Sequence, residues 1–266
     1  MSSSLFSLDG KIAAITGCTR GIGRSMAIAL AEAGADVCLL QRDVHNKEVQ
    51  KEIQALGRRC EIVYLDVSKQ DSVNEAMDKI LSVFPTLDIL VNNAGIQKRH
   101  PSVDFPEEDW DLVMQCNLKS VWTLSQAAGR VMMAKQQQGG KIINIGSLLS
   151  FQGGVTVPAY AAAKAAVANL TKALSNEWAK HGINVNAIAP GYIYTDMNTA
   201  LVQDPVRSNE IMARIPAGRW GNPDDFKGPV IFLASQAGQY VHGEIIVVDG
   251  GWMGMKDFSV FHIQYS

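Results

Sequence analysis

Short, almost wholly apolar runs alternate along this chain with longer stretches in which apolar residues recur every three or four positions. The runs at 11–16, 36–40, 60–65, 89–92, 141–145, 183–188 and 244–248 read as strands. Helical periodicity fills residues 25–33, 47–56, 71–84, 107–135, 160–180 and 229–235. Strands that are apolar on both faces, separated by helices, predict a parallel sheet covered on both sides. That is the doubly wound α/β architecture, here with a mainly parallel seven-stranded sheet. No shift of composition and no linker divides the chain, so residues 1–266 are expected to form one domain. Residues 195–220 are the longest stretch without a strand signal and are expected to form a flap on the substrate side. Residues 253–266 are expected to form a C-terminal tail.

Composition narrows the classes. Of 266 residues, 47% are hydrophobic and 19% charged, enough apolar content for a sizeable core. A net charge of -2 argues against nucleic acid or an acidic membrane surface as a partner. Cys18, Cys38, Cys60 and Cys116 show no metal-ligand spacing, so no metal site is expected, and their scatter reads as reduced thiols. The N-terminus has no basic segment followed by an apolar core, and no apolar run has the length of a membrane span. A cytoplasmic protein is expected.

Two local patterns carry chemistry. Thr16-Gly17-Cys18-Thr19-Arg20-Gly21-Ile22-Gly23 lies between the first strand and the first helix. Glycines there let the backbone turn tightly and approach a pyrophosphate, and a helix N-terminus offers N–H groups and a positive dipole end. The spacing is GxxxGxG rather than GxGxxG. Further on, Tyr160 and Lys164 stand four apart in an alanine-rich run, and so share a helix face. A nearby ammonium favours phenolate over phenol, which brings Tyr160 towards acid–base work near neutral pH. Ser147, thirteen residues upstream, can hold a substrate oxygen at the same point. The plain alternative for this pair is a half-buried Tyr beside a snorkelling Lys.

TGxxxGIG at 16–23, Asn92-Asn93-Ala94-Gly95 after the fourth strand, Ser147, Tyr160-x3-Lys164, and Pro190-Gly191 after the sixth strand resemble the short-chain dehydrogenase/reductase family. The likeness runs from residue 8 to about 252. It implies a Rossmann fold on which Tyr160 is the acid in reduction and the base in oxidation. It implies too that Lys164 lowers the pKa of Tyr160 and holds the nicotinamide ribose, while Ser147 orients the reacting oxygen. Asn117 matches a fourth catalytic position, where it supports a water linking Lys164 to solvent. The same resemblance puts Gly17, Thr19, Arg20, Gly21, Ile22 and Gly23 at the phosphates. Asn93, Ala94 and Gly95 fall on the adenine-ribose side, Asp66 and Val67 at the adenine, and Pro190, Gly191, Ile193 and Thr195 around the carboxamide.

Cofactor choice is read at the end of the second strand, where NAD users place an acid for the ribose 2′-OH. Here Gln41 stands at that position, Arg42 follows it, and Arg20 is a second basic group in the glycine loop. A 2′-phosphate clamp of this kind favours NADP(H), while Asp43 keeps NAD(H) open. Segments 141–147, 150–154, 176–180 and 215–221 resemble family members that act on deoxygluconate-type sugar acids, and those members use NAD. An arginine fork suits such a carboxylate, so Arg99 is the expected anchor, with Gln152 and Tyr192 as further substrate contacts and Arg207 and Arg214 in the flap. A bulkier ketone of secondary metabolism is the alternative substrate. Apolar positions nearly encircle the helices at 107–135 and 160–180, which marks an interface. Family members pair these helices in tetramers, so a homotetramer is expected.

Overall fold

The computed structural model describes residues 5–135 and 139–255; the greater part of the tail foreseen at 253–266 lies outside them. The strands are β1 (Ile12–Thr16), β2 (Asp36–Gln41), β3 (Cys60–Tyr64), β4 (Ile89–Asn92), β5 (Gly140–Ile145), β6 (Ile183–Pro190) and β7 (Ile245–Val248). All neighbouring pairs are parallel, in the order β3-β2-β1-β4-β5-β6-β7. The order reverses between β1 and β4, and ligands of open α/β sheets bind outside the carboxyl ends of the strands at that switch.

Between the strands run α1 (Gly21–Glu32), α2 (Glu48–Ala55), α3 (Gln70–Val83), α4 (Glu107–Met114), α5 (Ser120–Ala134), α6 (Pro158–Trp178), α7 (Thr199–Val202), α8 (Pro205–Arg214) and α9 (Lys227–Ala234). Successive strand side chains point to opposite faces, and the core divides accordingly. Ala13, Ile15, Val37 and Leu39 pack with Met26 and Leu30 of α1 and Val230 and Leu233 of α9. Ile12, Ala14, Cys38 and Leu40 pack with Ile80 of α3, Leu124 and Met132 of α5 and Leu174 of α6.

Two expectations need correction. The continuous helix expected over residues 107–135 is broken by a π turn, Gln115–Lys119, between α4 and α5. An extra residue per turn leaves apolar periodicity nearly intact, so the pattern could not show it. The stretch 195–220, expected to be a flap, holds two helices that were not foreseen, α7 and α8. Its base is pinned where Ile193 pairs with Gly221, the Tyr194 N–H donating to Gly221 O at 2.8 Å and the Gly221 N–H to Tyr192 O at 2.9 Å. Among the described residues no helix is long and apolar enough to cross a membrane.

Candidate active site

The motif residues meet at the carboxyl ends of β1, β4, β5 and β6. After β1 the backbone turns through Gly17 at a φ of 64°, a conformation side chains resist. Gly17 and Gly23 are required by close approach as well. A Cβ on Gly23 would overlap the Gly17 carbonyl oxygen and the Asn93 amide, and one on Gly17 would lie 2.9 Å from Ala94 Cα. The loop is clamped from β4: Thr16 Oγ1 accepts from the Asn93 and Ala94 N–H groups at 2.9 and 2.8 Å. Asn93 Nδ2 donates to Thr16 O and Gly17 O at 3.0 and 2.9 Å. Asn93 is therefore a brace for the glycine loop, with its amide committed there.

The N-terminus of α1 has no side-chain cap and no carboxylate in its first turn. Its N–H groups and dipole fit a dinucleotide's pyrophosphate, with Thr19 and Ile22 half-buried beside it. Thr195, at the start of the flap, comes within 3.4 Å of a Cβ built on Gly21, so the flap base stands over this turn.

Arg20 points elsewhere than expected. Its guanidinium pairs with Asp196 at 3.0 Å, both side chains being more than two-thirds exposed. In this structure it straps the glycine loop to the flap instead of joining Arg42. The position read as the ribose acid is also different in kind. Gln41 is buried, and its Nε2 donates to Asp43 O and Asn46 O at 2.6 and 2.8 Å. Asp43 accepts from the His45 N–H at 3.0 Å and closes the same turn. Arg42 remains exposed at the strand end, close enough for its charge to act on Asp66. Burial opposes ionisation of Asp66, but hydrogen bonds from Ser68 and the Arg42 charge outweigh it and hold the carboxyl below its ordinary value. Asp66 does not cap α3, whose N-cap is Lys69. Val67 O accepts from Gln115 Nε2 at 3.2 Å, which ties this corner to the π turn.

Ser147, Tyr160, Lys164 and Asn117, the residues expected to be catalytic, lie close together. Ser147 stands two residues beyond β5 and caps a short 3₁₀ turn, its Oγ accepting from the Leu149 N–H at 3.2 Å. Its hydroxyl also hydrogen-bonds the Tyr160 oxygen. Lys164 Nζ lies 5.6 Å from the centre of the Tyr160 ring. Only 4% of Lys164 is exposed, and Nζ donates to Ile145 O at 2.6 Å. Asn117, fully buried in the π turn, exchanges two hydrogen bonds of 2.8 Å with the Ile96 backbone. A Cβ on Gly95 would stand 3.1 Å from Asn117 Oδ1 and 3.8 Å from Lys164 Nζ, so Gly95 leaves the space these two groups face.

One electrostatic expectation changes. Lys164 was expected to lower the pKa of Tyr160. Burial instead raises the phenol above its usual value, opposed by the Ser147 hydrogen bond and by the charge of Arg99. Lys164 is itself pushed down to about 8 by burial. Desolvation outweighs the i,i+4 proximity.

Arg99 sits on a cleft of about 500 Å3 lined also by Gln97, Lys98, His100, Asp109 and Met197. Three basic residues stand in a row here, but Asp109 takes two of them: Lys98 Nζ at 2.9 Å and His100 Nε2 at 2.7 Å. Those two hydrogen bonds hold the Asp109 carboxyl below its ordinary value. Among the described residues, Arg99 has only the neutral Gln97 Oε1, at 2.9 Å. Arg214 stacks on the Trp252 ring, 4.0 Å away, and Arg207 is exposed on α8. Tyr192 lies between Trp220 and Trp252 and packs against the cluster of Leu148, Ile215 and Trp252, next to Ser147. Gln152 is exposed just after the Ser147 turn. Pro190 and Gly191 leave β6 against Asp249, and Ile193 is buried.

Asp109, Asp196, Thr16 and Met197 were not singled out from sequence. Only Thr16 carried a local signal, as the residue opening the glycine motif. Cys18 and Cys116 are buried, and burial pushes their thiols up to about 12 and about 11, so neither is poised to react.

The family model described as enoyl-(acyl carrier protein) reductase matches residues 17–253. The chain belongs to the short-chain dehydrogenase/reductase family. Among its relatives in the family is a 2-dehydro-3-deoxy-D-gluconate 5-dehydrogenase of Pseudoalteromonas atlantica, 52% identical over 94% of this chain and 98% of that one. A protein of the same name from Bacillus subtilis is 50% identical, over 93% and 96%. Of solved short-chain dehydrogenase/reductase structures, a gluconate 5-dehydrogenase of Burkholderia cenocepacia in complex with NADP and tartrate is 41% identical. It matches 96% of this chain and 100% of that one, with a TM-score of 0.91.

Proposed function

We propose that this chain is an NAD(P)-dependent oxidoreductase, favouring NADP(H), that interconverts the secondary alcohol and ketone of a deoxysugar acid such as 2-dehydro-3-deoxy-D-gluconate. The observation that carries the substrate class is the unneutralised Arg99 guanidinium, on a polar cleft and within electrostatic reach of Tyr160. A carboxylate entering that cleft gains a charge-assisted pair that Lys98 and His100, already committed to Asp109, do not offer. Sugar-acid names among the relatives support the reading, as does the neighbour that holds NADP with the dicarboxylate tartrate. Exposed Arg42 supports NADP(H), and NAD(H) is the second cofactor.

The nicotinamide supplies the hydride acceptor or donor when bound. The protein's own groups do the rest. Ser147 holds the reacting oxygen, and Tyr160 gives its proton to that oxygen during ketone reduction or takes it during alcohol oxidation. Lys164 and Asn117 flank the route by which the proton is replaced. Because burial raises the Tyr160 pKa, the phenol is protonated at neutral pH and ready as an acid. Reduction therefore runs at neutral pH, and alcohol oxidation quickens as pH climbs towards the phenol's raised pKa.

The assembly we expect is a cytoplasmic homotetramer. Trp110 of α4 and Trp122 of α5 are 38% and 40% exposed, and Ala162 and Ala165 of α6 face outward, which leaves apolar helix surface to pair.

The test is to follow NADPH and NADH oxidation with 2-dehydro-3-deoxygluconate-type acids beside bulky neutral ketones. Turnover of the acids, with Tyr160→Phe slower by about 10²–10⁴, supports the reading. Silence on the acids with turnover of a neutral ketone moves the substrate to secondary metabolism and overturns it.

A further inference from the structure

A second cleft, of about 430 Å3, lies against the C-terminal half of α8, with Met212, Ala213, Ile215, Pro216 and Met255 on its walls. The helix beside it is poorly covered. None of the α8 side chains is buried, and Val206 and Met212 are 67% and 37% exposed. A helix of this size in a folded domain ordinarily draws its stability from an apolar face packed on something.

Met255, which lines the cleft, is the last described residue, and eleven more follow it: Lys-Asp-Phe-Ser-Val-Phe-His-Ile-Gln-Tyr-Ser. Phe258, Val260, Phe261, Ile263 and Tyr265 are apolar or aromatic, with polar residues between them. The family match ends at residue 253, so this apolar segment lies beyond what the family shares. Eleven residues reach up to about 36–40 Å when extended, whereas the ten-residue α8 is about 15 Å long. The segment follows directly on a residue of the cleft wall and is long enough to span the whole length of α8.

We propose that residues 256–266 dock within their own chain along this cleft and α8. Their apolar side chains cover Met212 and its neighbours. The occupant is the chain's own segment because Met255 already stands in the cleft wall. Reaching it closes only a short loop, at little entropic cost. This inference does not depend on the substrate proposed above.

The test compares hydrogen–deuterium exchange of the full chain with that of a chain ending at Met255. Amides of residues 205–218 exchange about tenfold faster in the shortened chain, equivalent to about 1.4 kcal/mol of local opening, while those of β1 and β4 do not change. The full-length Phe258→Ser, Phe261→Ser double variant reproduces the effect without removing any chain. Unchanged exchange over 205–218 in both variants overturns the proposal. Cross-links between residues 256–266 and α8 in a mixture of isotope-labelled and unlabelled chains decide the occupant. Links within one isotope class support docking in the same chain, and links predominantly between classes assign the cleft to a second copy and overturn it.

Discussion

The two walls of the candidate site are built in opposite ways. On the β1–β4 side, the glycine loop and the Asn93 turn interlock through part-buried backbone, and each polar group named there has a partner inside the protein. On the flap side, α8 has no buried side chain, and the strap to the glycine loop is the exposed Arg20–Asp196 pair. Cofactor phosphates need N–H groups fixed before binding, because ordering them afterwards would cost affinity. Substrate has to enter and leave, and elements that move are drawn from the weakly held parts of a fold. The difference sets a wall held by many internal hydrogen bonds against one held by few contacts.

The sharpest way to break the first wall is Gly23→Ala. Its methyl group meets the Gly17 carbonyl and the Asn93 amide, neither of which can yield cheaply. Overpacking of this kind costs about 1–3 kcal/mol. A lower melting temperature and at least about tenfold weaker NADPH binding are expected. Unchanged nucleotide affinity would mean that the loop is softer than its contacts imply.

Lys164→Met probes the same wall through pH. The folded pKa of Lys164, about 8, lies below its ordinary value of 10.5. Between those values the unfolded chain binds more protons than the folded one, so wild-type stability rises with pH across that window. The penalty of burying the charge is present in full below pH 8 and has gone above 10.5. The methionine variant lacks this dependence. Its stability relative to wild type is therefore greatest near pH 7 and declines as pH rises through the window, while turnover is lost. Thermal melts at pH 7, 9 and 10.5 check the sign, and a relative stability that grows with pH would contradict it.

Asp196→Asn tests the looser wall and has the smallest expected effect on stability. The pair is exposed, so melting should shift by no more than an ordinary surface ion pair allows, about 0–1 kcal/mol. The freed Arg20 becomes available to a nucleotide phosphate, so NADPH affinity rises and its salt dependence steepens. Fluorescence titration at low and high salt would show this, and unchanged affinity would remove Arg20 from the phosphate site.

The nucleotide wall was legible in the sequence for the reason that holds it together. Short-range backbone demands select glycines at fixed spacing, and strands buried on both faces must be apolar throughout. The juxtaposition of Tyr160, Lys164 and Ser147 was legible because one helix and the turn after β5 place them. What stayed hidden depended on distant partners. Nothing near Lys98 or His100 announces that Asp109 bonds to both, and nothing near Arg20 announces Asp196. The π turn that aims Asn117 left almost no trace in the periodicity. Burial reversed the expected pKa of Tyr160, and desolvation is a property of the packed fold. The α8 start did carry a signal, since Asp204-Pro205 places a capping side chain before a first-turn proline. It was obscured by the weak apolar stripe that follows.

The central claim is that Arg99 reads a carboxylate beside Tyr160. The most direct measurement is kcat/KM of wild type and Arg99→Ala for a keto sugar acid and for its neutral amide or ester. The account predicts that the variant loses about 10–100-fold on the acid, as expected for an ionic hydrogen bond of about 1.5–3 kcal/mol, with the neutral analogue spared. Equal losses on both would contradict it and leave Arg99 a structural residue of the cleft.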